Sequence, residues 1–168
     1  MTVRQLVMLG LTGLAVVAVT VVYALQSGRH IQDNPNRPVE LSWKILSLMD
    51  AESGQVPPII DRLQTVTVKT AGFMVPLEDQ LENVSEFLLV PYEGACIHTP
   101  PPPPNQMIHV KMKNALAKYT WQAIEVIGRF SLLKTQSPYG QLSYEIEGDK
   151  VELWKGPEKD RSRLGMDL

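Results

Sequence analysis

Cys96, the one cysteine among 168 residues, stands two positions before His98, one of three histidines. In extended backbone, alternate side chains leave on the same face about 6 to 7 Å apart, so a slight turn brings thiolate and imidazole to one ion. Those donors suit zinc or copper. A structural zinc takes four ligands, and the sequence offers His109 as a third and Glu93 as an oxygen donor. Two other readings stand beside this one. Cys96 can be a small buried hydrophobe with His98 hydrogen-bonded to a carbonyl, or a nucleophile with His98 or His109 as its base. A lone cysteine forms no internal disulfide, so thiol exchange would need a partner's thiol. The sequence has no Gly-rich phosphate cradle, no His-Glu-x-x-His helix and no Gly-x-Ser-x-Gly elbow. A non-enzymatic protein is therefore expected.

Immediately after this pair come Pro100, Pro101, Pro102, Pro103 and Pro104, five of the chain's 13 prolines. Each fixes φ and lacks a backbone donor, so the run forms a polyproline II rod of about 15 Å. Tyr92 precedes it, and Asn105 and Gln106 follow it. Such a rod is either a ligand for an aromatic groove on a partner or a lid laid over an open sheet edge of its own domain.

The elements that must position these residues are short. Residues 6–25 contain no charged side chain, and twenty helical residues span about 30 Å, the thickness of a bilayer core. This stretch is expected to be a single transmembrane helix or a signal segment. Ala24 ends a run that would serve for cleavage, but the apolar stretch is longer than a signal needs, and that favours an anchor. Residues 30–38 read as a linker. Leu41, Ile45 and Leu48 have the spacing of one helical stripe and predict a helix over 40–50. Period-two alternation predicts a strand from Thr65 that bends at Gly72. Phe87 to Val90 reads as a buried strand, and Ile108, Val110 and Met112 alternate with His109 and Lys111 on a polar face. A strand near Ile124 has a bulge or a tight barrel bend at Gly128. Leu142, Tyr144 and Ile146 predict another strand, turned at Gly148 and Asp149 into a hairpin that returns through Val151 and Leu153.

The pattern predicts a mainly β domain at 39–156: a small OB-like barrel of about five or six strands with a short N-terminal helix. It follows a membrane anchor or signal at 1–29 and precedes a charged tail at 157–168. Overall the chain is 44% hydrophobic and 20% charged, ordinary for one domain. Arg4 and Arg29 take two of the 16 basic residues and none of the 18 acidic ones, so the remainder has a net charge of −4. Its basic residues are scattered among acids, which argues against nucleic acid.

Three motifs occur in order: Gly72-Phe73-Met74-Val75-Pro76-Leu77-Glu78, then Glu86-Phe87-Leu88-Leu89-Val90-Pro91-Tyr92, then Gly94-Ala95-Cys96-Ile97-His98-Thr99 running through the prolines to Asn105-Gln106. In this the chain resembles the DUF3299 family of exported bacterial proteins, over roughly residues 40–154. Ala71 stands where that family usually has proline, and many members carry a cleavable signal. The resemblance implies a Gram-negative envelope protein with an OB-like fold. In some genomes such proteins are encoded beside ABC exporter components and a zinc-binding periplasmic protein.

Two functions follow as expectations. One is a binding module anchored in the inner membrane through residues 6–25, with its C-terminal domain in the periplasm, that handles zinc for an envelope transport system. The other is a structural subunit that contacts an envelope partner, such as an ABC exporter component, through the proline rod.

Overall fold

Apolar alternation becomes six strands in the computed structural model, which describes residues 33–34, 36–77, 81–93, 102–114, 116–137 and 140–156, without the side chains of 136 and 137. All of these fall in the compact unit Gln32–Leu168. The apolar segment 6–25 and the tail 157–168 lie outside the described residues. Among the described residues, no helix is long and apolar enough to cross a membrane.

The strands are β1 (Val39–Glu40), β2 (Thr67–Pro76), β3 (Glu86–Val90), β4 (Ile108–Met112), β5 (Ile124–Ser137) and β6 (Gly140–Leu153). They form one mixed sheet in the order β1-β2-β3-β4-β6-β5, with β2 also paired to β5. β1 runs parallel to β2, and β4 runs parallel to β6. The other pairings, β2–β3, β2–β5, β3–β4 and β5–β6, are antiparallel. The protein is thus mainly β, as its composition and periodicity predict. The interior faces carry Phe87, Leu89, Ile108, Val110, Ile124, Val126, Phe130, Tyr144 and Ile146, all at most 1% exposed. Each such large side chain contributes about 1.5 to 3 kcal/mol through its burial.

The expected hairpin at Gly148 and Asp149 is absent: β6 runs straight through it, from Gly140 to Leu153. The hairpin partner of β6 is β5, with Ser137 opposite Gly140. What looked like a turn is a bulge. Gly128 pairs with Gly148 and Ile127 pairs with Lys150, leaving Asp149 as an extra residue. One extra residue reverses which face each following side chain takes. Leu142, Tyr144 and Ile146 are therefore core, and the apolar phase then moves from even to odd positions without the strand ending. Gly128, the expected bulge or bend of β5, lies opposite this irregularity: the extra residue belongs to β6, not to β5.

The expected helix over 40–50 shrinks to one turn, α1 (Trp43–Leu46), because Val39 and Glu40 are committed to pairing with β2. Its buried residues are Leu41, Trp43, Leu46 and Met49, whereas Leu48 is 57% exposed. A single turn cannot sustain a 3.6-residue stripe, so the predicted Leu41, Ile45, Leu48 face does not form. A second short helix, α2 (Pro58–Asp61), follows directly on Pro57. Pro57 is extended, but Pro58 occupies the first helical position, where a missing N–H costs nothing.

A one-turn helix leaves carbonyls without internal partners. Here distant elements supply donors: the Tyr144 hydroxyl donates to the Leu46 carbonyl at 2.8 Å, and Asn105 Nδ2 donates to the Met49 carbonyl at 2.8 Å. Burial pushes the Tyr144 phenol well above its usual range, so it stays a donor. Trp43 Nε1 donates to the Ala71 carbonyl at 2.7 Å, which ties α1 to β2.

Within the expected linker, Asp33 accepts the Thr67 N–H at 2.8 Å and lies 3.4 Å from Arg129 on β5. The Thr67 N–H, then the Thr67 hydroxyl and, more weakly, Arg129 hold its carboxyl below the usual range. A carboxylate with a lowered folded pKa contributes stability that is present above its ordinary value near 3.8 and is lost as pH falls through the lower folded value. Asp33→Asn should therefore unfold at a lower temperature than wild type at neutral pH. The two melting curves should converge as pH falls below the carboxylate range, which a pH series of thermal melts checks.

Candidate functional site

Strand β3 ends at Val90, and Pro91, Tyr92 and Glu93 turn away from it. Tyr92 is half-buried and packs against Leu88, Val90, Met107 and Leu142. Glu93 is exposed. Cys96, His98, Pro100 and Pro101 lie outside the described residues. The chain re-enters at Pro102, which is buried, followed by exposed Pro103 and a 3-10 turn at Pro104–Gln106. Asn105 within that turn is buried, and through the Met49 carbonyl it ties the end of the proline run to the segment after α1. Pro104 and Gln106 are half-buried. Pro104 thus belongs to a 3-10 turn and not to the expected rod, because the chain turns there into β4, and the described end of the proline run is fastened to its own domain.

His109 lies on the face of β4 opposite Ile108 and Val110, as the alternation predicts, but it is 7% exposed rather than open to solvent. Its pairing partners are Leu88 on β3 and Glu145 on β6. Nε2 lies 3.4 Å from Glu86 Oε2, and Nδ1 lies 3.3 Å from Glu145 Oε2 without the alignment of a hydrogen bond. Lys111 also faces Glu86, at 3.8 Å. A neutral imidazole has one N–H to donate, the imidazolium two. The two nitrogens flank Cε1 with widely diverging directions, and each has a different glutamate beside it. Among the described residues, no group of three or more His, Cys, Asp and Glu is placed to hold a metal ion.

A second place has a shape suited to binding. The connection between β4 and β5 and the far half of β6 enclose an open cleft of about 490 Å³ lined by Leu116, Tyr119, Ile124, Asp149, Val151 and Leu153, among others. That volume lies in the range of ligand and peptide clefts. Leu116 and Leu153 on its wall are 57% and 51% exposed. Beyond it, Trp121 is 68% exposed and meets Tyr119 edge-on, with ring centroids 5.1 Å apart. The Tyr119 N–H donates to the carbonyl of Leu81, another exposed leucine, whose backbone therefore lies beside the cleft. Sequence reasoning proposed no site between Met112 and Ile124. The available signal was Leu116, Tyr119 and Trp121, large apolar side chains in a connection that belongs to no strand.

The comparisons with known proteins agree with the fold. The chain is similar to a DUF3299 family protein from Pseudomonas aeruginosa PAO1 of known crystal structure. The two are 30% identical over 72% of this chain and 99% of that one, with a TM-score of 0.58. No curated protein matches the chain. Residues 41–153 match the family described as protein of unknown function (DUF3299), and the chain belongs to that family.

Proposed function

We propose that this chain is a non-enzymatic protein-binding subunit of a bacterial envelope assembly, built on an OB-like barrel. The barrel reading rests on the succession of pairings β2-β3-β4-β6-β5 and back to β2, which gives each of these five strands a partner on either side. The uncharged stretch 6–25 supports an anchor in the inner membrane with the domain in the periplasm. The observation that carries the binding role is the exposed apolar surface of the cleft at Leu116 and Leu153, with exposed Trp121 and Leu81 beside it. Such surfaces, rimmed by polar residues, mark interaction sites. In this reading the proline run is a strut, its far end fastened through Asn105, and the docking face lies elsewhere.

The test is Leu116→Glu with Leu153→Glu in the full chain. Both residues are exposed, so thermal unfolding should shift by less than about 0.5 kcal/mol equivalent. In vivo crosslinking should show an envelope protein attached to wild type and lost from the double variant. Unchanged crosslinks would refute the role. Zinc handling at Cys96 and His98 is the competing reading, favoured by their spacing. It separates on one measurement: equal and negligible zinc in untagged wild type, Cys96→Ser and His98→Ala leaves docking as the function.

A further inference from the structure

The bulge in β6 puts an acidic group into the cleft. Asp149 is the unpaired extra residue between Gly148 and Lys150, and a bulge is the usual device for re-aiming a side chain beside a site. After it, Val151 and Leu153 also line the cleft. The neighbouring charges are already matched: Lys150 lies 2.9 Å from Glu152, and Lys118 lies 3.0 Å from Glu82. Asp149 has no ion-pair or hydrogen-bonding partner among the described residues. Lys118, Lys150 and Glu152 also line the cleft but are engaged in these pairs, so Asp149 is the one lining charge without an ion-pair partner among the described residues. Exposed Trp121 and Leu81 lie beside the cleft, so there is more apolar surface than a small cation would cover.

We propose that the cleft takes an extended segment of a partner protein carrying one basic side chain between apolar ones. The cation meets Asp149, and the flanking side chains meet Leu116, Tyr119 and Leu153. The indole of Trp121, 68% exposed, favours the same charge. This rests on the docking reading above and names the chemistry of what docks.

The experiment measures fluorescence polarisation with the full chain and four capped pentapeptide pools. Each pool has Leu, Val, Pro or Phe at the flanking positions and a fixed centre of Lys, Arg, norleucine or Glu. The Lys and Arg pools should bind about fivefold more tightly than the norleucine pool, with the Glu pool weakest and the advantage shrinking as salt rises. Asp149→Asn should erase the Lys and Arg advantage while the norleucine pool still binds. Equal binding of the Lys and norleucine pools, an advantage that survives Asp149→Asn, or no binding by any pool overturns the proposal. If the norleucine pool binds wild type and is lost in Leu153→Glu while no basic preference exists, the docking surface stands and only the partner chemistry falls. If Leu153→Glu and Leu116→Glu leave all pools bound, both fall.

Discussion

Replacing Gly128 with alanine is expected to destabilise the domain by about 3 kcal/mol, a large share of the roughly 5 to 15 kcal/mol that a domain of this kind has. A methyl group there would lie 2.3 Å from the Glu147 carbonyl oxygen, 2.7 Å from Ile146 Cγ2 and 2.8 Å from Gly148 Cα. Two of those three atoms are backbone in the neighbouring strand, so no rotamer change relieves the clash. The β5–β6 ladder would have to part at the bulge, next to the cleft. Urea unfolding followed by circular dichroism should show a lower midpoint. A stability within about 0.5 kcal/mol of wild type would mean that the close approach at Gly128 is wrong.

The second large effect is expected at Trp43. Its ring is 3% exposed, and its Nε1 donates to the Ala71 carbonyl. Gly72 makes room for it: a Cβ on Gly72 would lie 3.2 Å from the Trp43 ring and 2.6 Å from the Val90 carbonyl. Trp43→Ala should cost about 3 to 5 kcal/mol through lost burial and the cavity left behind. Trp43→Phe keeps most of the packing and removes the donor, leaving a buried carbonyl unpaired at a cost of about 1 to 3 kcal/mol. The ordering wild type, Phe, Ala in chemical unfolding tests the two contributions separately. Equal loss in both variants would assign the whole effect to the hydrogen bond.

Much of the fold was readable because the strands bury one face cleanly. Phe87 to Val90 and Ile108 to Met112 showed their strands directly, and the glycine at 128 marked where β5 meets the irregularity in β6. The errors share a physical origin. Bulges and one-turn helices break the periodicity on which sequence reading depends. The phase change at Asp149 therefore looked like a turn, and Leu48 looked like part of a stripe that a single helical turn cannot hold. The site was less legible. His109 was placed correctly on its strand face, yet its two glutamate neighbours come from β3 and β6, and no local spacing joins 86, 109 and 145. The cleft is assembled from two segments about thirty residues apart, and its acidic group is placed by a bulge that itself was read as a turn.

The double pairing of β2 also bears on how the domain is made. Thr67 to Gly72 find their β5 partners only at Ile124 to Arg129, so a chain leaving the ribosome from its N-terminus carries β2 for many residues with that side unpaired. Open strand edges recruit other chains, and pairings this distant in sequence form slowly. Until β5 arrives, the short parallel pairing with β1 and the antiparallel one with β3 cover only the other side of the strand. Synthesis therefore passes through a stage in which escort by a chaperone, or fast delivery of the last two strands, decides between folding and aggregation.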